Sequence, residues 1–261
     1  MTVHGRIRRA QGFTWILDPK DRLQSRILRI GAHEGEETSI LPDLVHEGNV
    51  VFDIGANIGY YTLLLSRLVG TGGQVHALEP LSLSYERLVW HVRNNGRTNV
   101  TTHRLAAGNT RCTMNVALPT WTGEINWGGF HLFDDCNGNS ADGEIIDVVR
   151  IDDLVSELRL GPVAFIKIDA EGYEPYILEG AMKTITKFSP AMIVEVLGKN
   201  LARAGSDVKS LIEMLRGFGY NVQRLKKHSA EMHEVTERDL EAPVHFNAIC
   251  TRAIAGSGLP R

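Results

Sequence analysis

From Asn49 onward, short uninterrupted apolar runs alternate with stretches in which apolar residues recur at helical spacing. Val50–Ile54, Gln74–Leu78, Val100–Leu105, Val163–Ile168 and Ala191–Val196 read as buried strands. Helices are predicted between them, over about Gly59–Val69, Ser84–Asn94, Pro175–Lys187 and Asp207–Gly217. Short strands separated by helices of this length make parallel βαβ units, so the pattern predicts an α/β fold with a doubly wound sheet. Tyr220–Leu225 and His245–Thr251 close the chain without a clear helix between them, which predicts an antiparallel hairpin at one edge.

Two regions depart from this rhythm. Residues 1–48 form a preamble of mixed patterning, with a possible helix around Glu37–His46 that ends at Gly48 and a surface packed on the core. The strands and helices of 49–261 make the main domain. Within it, residues 109–150 carry turn residues, two tryptophans and alternating segments, and read as an inserted β-rich region of the kind that shapes substrate sites.

Composition narrows the functional classes. The chain has 261 residues, 43% hydrophobic and 23% charged, with a net charge of −3, so no overall basic field favours nucleic acid. No apolar stretch is long enough for a membrane span or a signal peptide. Three cysteines without CxxC spacing argue against a disulfide framework or zinc site and point to a reducing, cytoplasmic setting.

The chemistry concentrates in VVFDIGANIGYYTLLL. A buried strand ends in Asp53, a tight turn holds Gly55 and Gly59, and a helix begins at once. Ligands bind at such strand ends in open α/β sheets. A dinucleotide pyrophosphate wants GxGxxG and no facing carboxylate, whereas here the spacing is GxxxG and Asp53 precedes it. That pairing suits a cofactor bearing an ammonium and a sulfonium, as S-adenosylmethionine does. Glu79, at the end of the second strand, can accept hydrogen bonds from ribose hydroxyls. The bland alternative for Asp53 is a helix cap or turn residue.

DIGANIGYYTLLLSRLVG, HALEP, FIKIDAEGYEPYILEGA and SPAMIVEV, in that order, resemble the FkbM family of methyltransferases over roughly Ile30 to Val196. The resemblance implies a class I (Rossmann-like) fold with a seven-stranded sheet, S-adenosyl-L-methionine as methyl donor, and O-methylation of a sugar, glycolipid or natural-product hydroxyl. It further implies that Asp53, Gly55, Ala56, Asn57 and Gly59 line the cofactor, with Glu79 and Pro80 at the ribose and Ala106 at the adenine. Asp169, Glu171 and Gly172 would lie close to the transferred methyl.

Period-two alternation places Lys167 and Asp169 on one face of the fourth strand's end, with Glu171 in the following turn and Glu174 entering the next helix. A hydroxyl acceptor must be positioned in line and lose its proton, tasks for a nearby carboxylate. Asp169 is the first candidate for an acid that binds the cofactor or orients the acceptor, with Glu171 and Glu195 as alternatives. The competing readings are helix capping for Asp169 and Glu171, and a simple ion pair with Lys199 or another cation for Glu195. Asp152 and Asp153 read as capping a helix that begins near Leu154 rather than as metal ligands, and no metal is expected. His131 is the one histidine worth testing as a base. Trp121, Trp127, Phe130 and Phe133 can stack an acceptor or pack the insertion. Two rival functions share the same cofactor turn: a non-catalytic cofactor-binding member of a biosynthetic complex, and an NAD(P)-dependent oxidoreductase.

Overall fold

The computed structural model describes residues 4–117, 143–226, 229, 231–241 and 243–252. The chain opens with an antiparallel hairpin, β1 (Arg6–Ala10) and β2 (Phe13–Leu17), whose turn residues Gln11 and Gly12 take positive φ. Helix α1 (Arg22–Ile30) follows, its first turn capped by the Asp21 carboxylate on the Gln24 amide. The helix expected near 37–46 is two short ones, α2 (Gly35–Ser39) and α3 (Leu41–Leu44), divided at Ile40. Pro42 sits in the first turn of α3, where its missing N–H costs nothing.

The repeating units come next: β3 (Val50–Ile54), α4 (Tyr60–Leu68), β4 (Gln74–Leu78), α5 (Ser82–Asn94) and β5 (Val100–His103). The third strand is shorter than its apolar pattern predicts. After His103 the chain leaves the main sheet, and β6 (Ala106–Ala107) pairs instead with β8 (Gly143–Val149), which also pairs with β7 (Cys112–Ala117). The described ends of the insertion are therefore β-structured. Helix α6 (Ile151–Glu157) and β9 (Val163–Ile168) lead to α7 (Glu174–Gly180) and α8 (Met182–Phe188). These two replace the single helix expected over 175–187. The break falls at Ala181, directly after Gly180, where a Cβ would come within 1.9 Å of the Gly108 carbonyl oxygen. Strand β10 (Ala191–Leu197), α9 (Gly198–Arg203), α10 (Val208–Gly217), β11 (Asn221–Leu225), β12 (Met232–Glu234) and β13 (His245–Thr251) complete the chain.

The main sheet runs β12-β11-β13-β10-β9-β3-β4-β5. β10, β9, β3, β4 and β5 are parallel, and β13 enters antiparallel between β10 and β11. The expected antiparallel edge is present. The sheet has eight strands rather than seven, because β12 adds to β11 from a segment too short to register as a strand pattern.

Each strand divides its side chains between two cores. Phe52, Ile54, Ile166, Ile168, Met192 and Val194 pack toward α6–α8 and α10. Val51, Phe165 and Ile193, one residue out of phase, pack with α4, α5 and the N-terminal hairpin around the fully buried Trp15. This phase decides where the polar strand residues go. Asp53, Lys167, Asp169 and Glu195 share the parity of Val51, Phe165 and Ile193, so all four belong to the face covered by α4 and the N-terminal segment.

Candidate functional site

Strand order reverses between β3 and β9: from β3 the chain winds outward to β4 and β5, then returns through β9 to β10. Such a switch point opens a crevice at the carboxyl ends of its strands. Backbone bonds tie the loops there into one frame. The amides of Gly55 and Ala56 donate to the Leu78 carbonyl at 3.0 and 2.9 Å, and the Asp169 amide donates to the Ile54 carbonyl at 3.1 Å. Gly55 has φ +76°, and a Cβ there would lie 1.8 Å from the Asp169 carbonyl oxygen, so only glycine lets the two loops touch. Gly59, at φ +91°, caps α4 in the same left-handed conformation and backs onto Leu88.

Glu79 is 3% exposed and holds this frame with both oxygens. Oε2 accepts from the Asn57 amide at 2.8 Å and Oε1 from the Leu81 amide at 3.0 Å. Burial pushes its carboxyl up to about 8, although the two amides work in the opposite direction. Asn57 takes φ +49°, and its side-chain Oδ1 is buried without a hydrogen-bond partner. Pro80 is buried beside Glu79. Ala106, in β6, shares an apolar cluster with Leu81, Met114 and Val148.

Asp53 is 1% exposed and lies beneath the crevice. Its Oδ2 accepts from the Thr62 hydroxyl at 2.5 Å, and it stands directly across the β3/β9 register from Lys167. Burial raises its carboxyl, opposed chiefly by the Lys167 charge. The ammonium that Asp53 faces in the structure is thus one the chain supplies itself.

Lys167 is the centre of a buried charge cluster. Its Nζ donates to Asp169 Oδ2 at 2.8 Å and lies 4.5 Å from the centre of the Tyr61 ring. Burial alone would lower its ammonium, but the carboxylates of Asp169, Glu34 and Asp53 outweigh it and hold it above the ordinary lysine value. Tyr61 donates to Glu34 Oε2 at 2.6 Å. Burial would raise the Glu34 carboxyl, yet bonding to His33, the Lys167 charge and the Tyr61 hydroxyl bring it down to about 2.

The other two acid candidates lie alongside. Glu171, at φ +53°, accepts from Asn200 Nδ2 at 2.5 Å, and burial raises its carboxyl to about 7. Glu195 Oε1 lies 3.2 Å from His245 Nε2, while its Oε2 is buried without a hydrogen-bond partner. Burial, then the neighbouring charges of Asp169, Glu171 and Glu174, push its carboxyl well above the usual range. Of the two pairings expected for Glu195, Lys199 or another cation, the structure shows the second: its partner is His245 of the adjacent strand β13. Glu174 does the capping instead, its Oε1 accepting the amides of Ala170 at 2.9 Å and Gly172 at 3.1 Å.

Sequence reasoning missed two members of this cluster and the burial of a third. Glu34 lies in a preamble with no clear periodicity. Tyr61 reads as an ordinary apolar position of α4, and Lys167 was noticed only for its face. Asp152 does cap a helix, but the wrong one was named: it accepts the Lys183 and Thr184 amides at the start of α8. His131, Trp121, Trp127, Phe130 and Phe133 lie outside the described residues. Among the described residues no group of three or more His, Cys, Asp or Glu could hold a metal ion, and no helix is long and apolar enough to cross a membrane.

These residues suit S-adenosylmethionine. The turn from Asp53 to Gly59 and the start of the next loop at Glu79–Leu81 carry no cation for a phosphate. A buried, unpartnered Asn57 oxygen awaits a donor, and Glu79 keeps acceptor capacity beyond its two amides.

Known proteins resemble this chain. The family described as "Methyltransferase FkbM domain" matches residues 53–222. The 31-O-demethyl-FK506 methyltransferase FkbM of Streptomyces tacrolimicus is 27% identical over 224 residues, covering 73% of this chain and 81% of that protein. Among solved structures, a methyltransferase FkbM from Methylobacillus flagellatus KT superposes with a TM-score of 0.49 at 20% identity, covering 79% of this chain. The chain spans 44% of that protein's length. A SAM-dependent O-methyltransferase from Thermotoga maritima gives 0.46 at 12% identity, covering 98% of this chain and 80% of the other.

Proposed function

This chain belongs to the FkbM family of methyltransferases, and from that premise we propose that it methylates a hydroxyl oxygen of a sugar, glycolipid or natural-product acceptor using S-adenosylmethionine. It is a methyltransferase of class I fold, which removes the oxidoreductase alternative. The observation that carries the finer reading is the convergence at the β3/β9 switch point. There Glu79 and the glycine turn form one half of a crevice, and the Lys167–Asp169 pair forms the other.

In this reading Gly55, Ala56, Asn57 and Gly59 line the methionine portion of the cofactor, Glu79 and Pro80 meet the ribose, and Ala106 borders the adenine. Asp53 acts from beneath by holding Lys167 in its charged form. When bound, S-adenosylmethionine supplies an electrophilic methyl carbon on a sulfonium. Asp169 keeps one oxygen on Lys167, and its side chain is 32% exposed, so it is open to an acceptor hydroxyl. That geometry supports orienting the acceptor and receiving its proton. Glu171, raised to about 7, is the alternative base, and Glu195 with its unpartnered oxygen is a contact for a second acceptor hydroxyl.

Titration calorimetry with S-adenosylhomocysteine and transfer of labelled methyl across a panel of hydroxyl acceptors test this. We expect binding, label in an ether linkage, and loss of turnover with retained cofactor affinity in Asp169→Ala. Binding without transfer to any acceptor would favour the non-catalytic alternative. Loss of affinity rather than turnover would reassign Asp169 to the cofactor.

A further inference from the structure

The first residues of the chain carry a charge opposite to that of the whole. Residues 4–31 hold seven Arg or Lys against two Asp, in a protein of net charge −3. Both aspartates are committed locally: Asp21 caps α1, and Asp18 accepts the Lys20 amide and lies 4.0 Å from Arg87. Helix α1 (RLQSRILRI) contains no acidic residue. Its inner face buries Gln24 and Ile27, while Arg22, Arg26 and Arg29 recur at i, i+4 and i+7 on the outer face, all exposed.

None of these three arginines forms an ion pair among the described residues. The stripe continues past the helix end. Arg8, projecting from β1, packs against Gly31, so its guanidinium joins Arg29 at the C-terminus of α1. Ile30 stands there 59% exposed. Four residues after Ile30, Glu34 accepts from Tyr61, which lies against Lys167.

We propose that the outer face of α1, with Arg8 and Ile30, docks the protein on an anionic phospholipid surface. Several unpaired arginines on one rigid face attract a negative surface, and each basic residue near an anionic leaflet strengthens binding about fivefold. The exposed isoleucine beside them selects a bilayer over a purely polar polyanion such as duplex DNA, because it gains by entering the headgroup boundary. The surface lies next to the crevice and does not depend on which acceptor the enzyme uses.

Co-sedimentation of the full chain with vesicles tests this. Vesicles of phosphatidylcholine alone are compared with vesicles containing phosphatidylglycerol, at low and at high salt. We expect binding only to the anionic vesicles, reversed by salt. The triple variant Arg22→Gln, Arg26→Gln, Arg29→Gln keeps good helix formers and should weaken binding on the order of a hundredfold with an unchanged far-ultraviolet circular dichroism spectrum. Ile30→Ser should weaken vesicle binding while leaving binding to a DNA duplex unchanged. No anionic preference, full binding by the triple variant, or tighter binding to the duplex than to the vesicles would each overturn the proposal.

Discussion

Lys167 donates to Asp169 at 2.8 Å from opposite conditions of solvation: the lysine side chain is 2% exposed and the aspartate side chain 32%. Lys167 belongs to β9 and Asp169 is the first residue past its end, so the buried cation and the carboxylate that reaches out over it come from the same stretch of chain. Asp53 stands across the sheet and Glu34 lies within electrostatic reach from above, so the ammonium is enclosed by three acids.

This asymmetry predicts unequal costs. Lys167→Met leaves the surrounding acids without their cation and should destabilise the fold by about 3–5 kcal/mol. Asp169→Asn removes only the exposed partner, while Asp53 and Glu34 still compensate the lysine, and should cost about 1–3 kcal/mol. Urea unfolding of both variants checks the order. Equal or reversed losses would mean that Asp169 alone holds the ammonium.

Glu79→Gln is predicted to be a severe substitution despite its shape. Both carboxylate oxygens accept backbone amides, whereas an amide side chain offers one acceptor and one NH2 group. One of the Asn57 and Leu81 amides must then face a donor, at about 1–3 kcal/mol. Affinity for S-adenosylhomocysteine should fall at least tenfold in calorimetry. Wild-type affinity and stability in this variant would remove Glu79 from the site.

Much of this was legible from residue pattern. β3, β4, β9 and β13 have the boundaries their apolar runs predict, because each is buried on both faces and ends at a glycine, proline or polar turn. The glycine turn and Glu79 were legible for the same reason: their chemistry is local. Lys167's burial was not, since it depends on Asp53 arriving across the register and Glu34 arriving from another segment. The N-terminal hairpin was missed as well, because its apolar residues are split between a short exposed strand and a fully buried one. Pairing contributed by distant chain leaves no period behind.

Gly55→Ala should be among the most damaging small substitutions. It combines a positive φ with a Cβ placed 1.8 Å from the Asp169 carbonyl oxygen, so the β3 and β9 loops must part. A loss of about 3 kcal/mol or more is expected, together with weakened cofactor binding. Gly96→Ala is the control: its φ is +62°, but nothing lies within 4 Å of the new Cβ. That variant should lose only about 1 kcal/mol. Comparable midpoints for the two would show that backbone strain, not loop contact, dominates at Gly55.

The N-terminal hairpin is joined to the cofactor turn by one neutral histidine, and this gives stability a pH dependence. His91 is fully buried; its Nε2 accepts the Ile16 amide at 3.0 Å, so the proton sits on Nδ1, which donates to the Ile58 carbonyl at 2.7 Å. Burial lowers its pKa to about 4 from 6.5, although the backbone contacts with Ile58 and Ile16 work the other way. Between those values the unfolded chain binds the extra proton and the folded one does not. The His91 contribution is therefore complete above pH 6.5 and is lost as pH falls toward 4, amounting to about 3 kcal/mol over the window. Buried carboxyls such as Glu79, raised to about 8, act in the opposite sense: they favour the fold at low pH and weaken it as pH rises from about 4.5 to 8. The test is accordingly a difference. His91→Asn should be less stable than the wild type at pH 7, with the gap narrowing by about 3 kcal/mol as pH is lowered to 4. A constant gap would mean that the imidazole is protonated in the fold and that Ile16 does not donate to it.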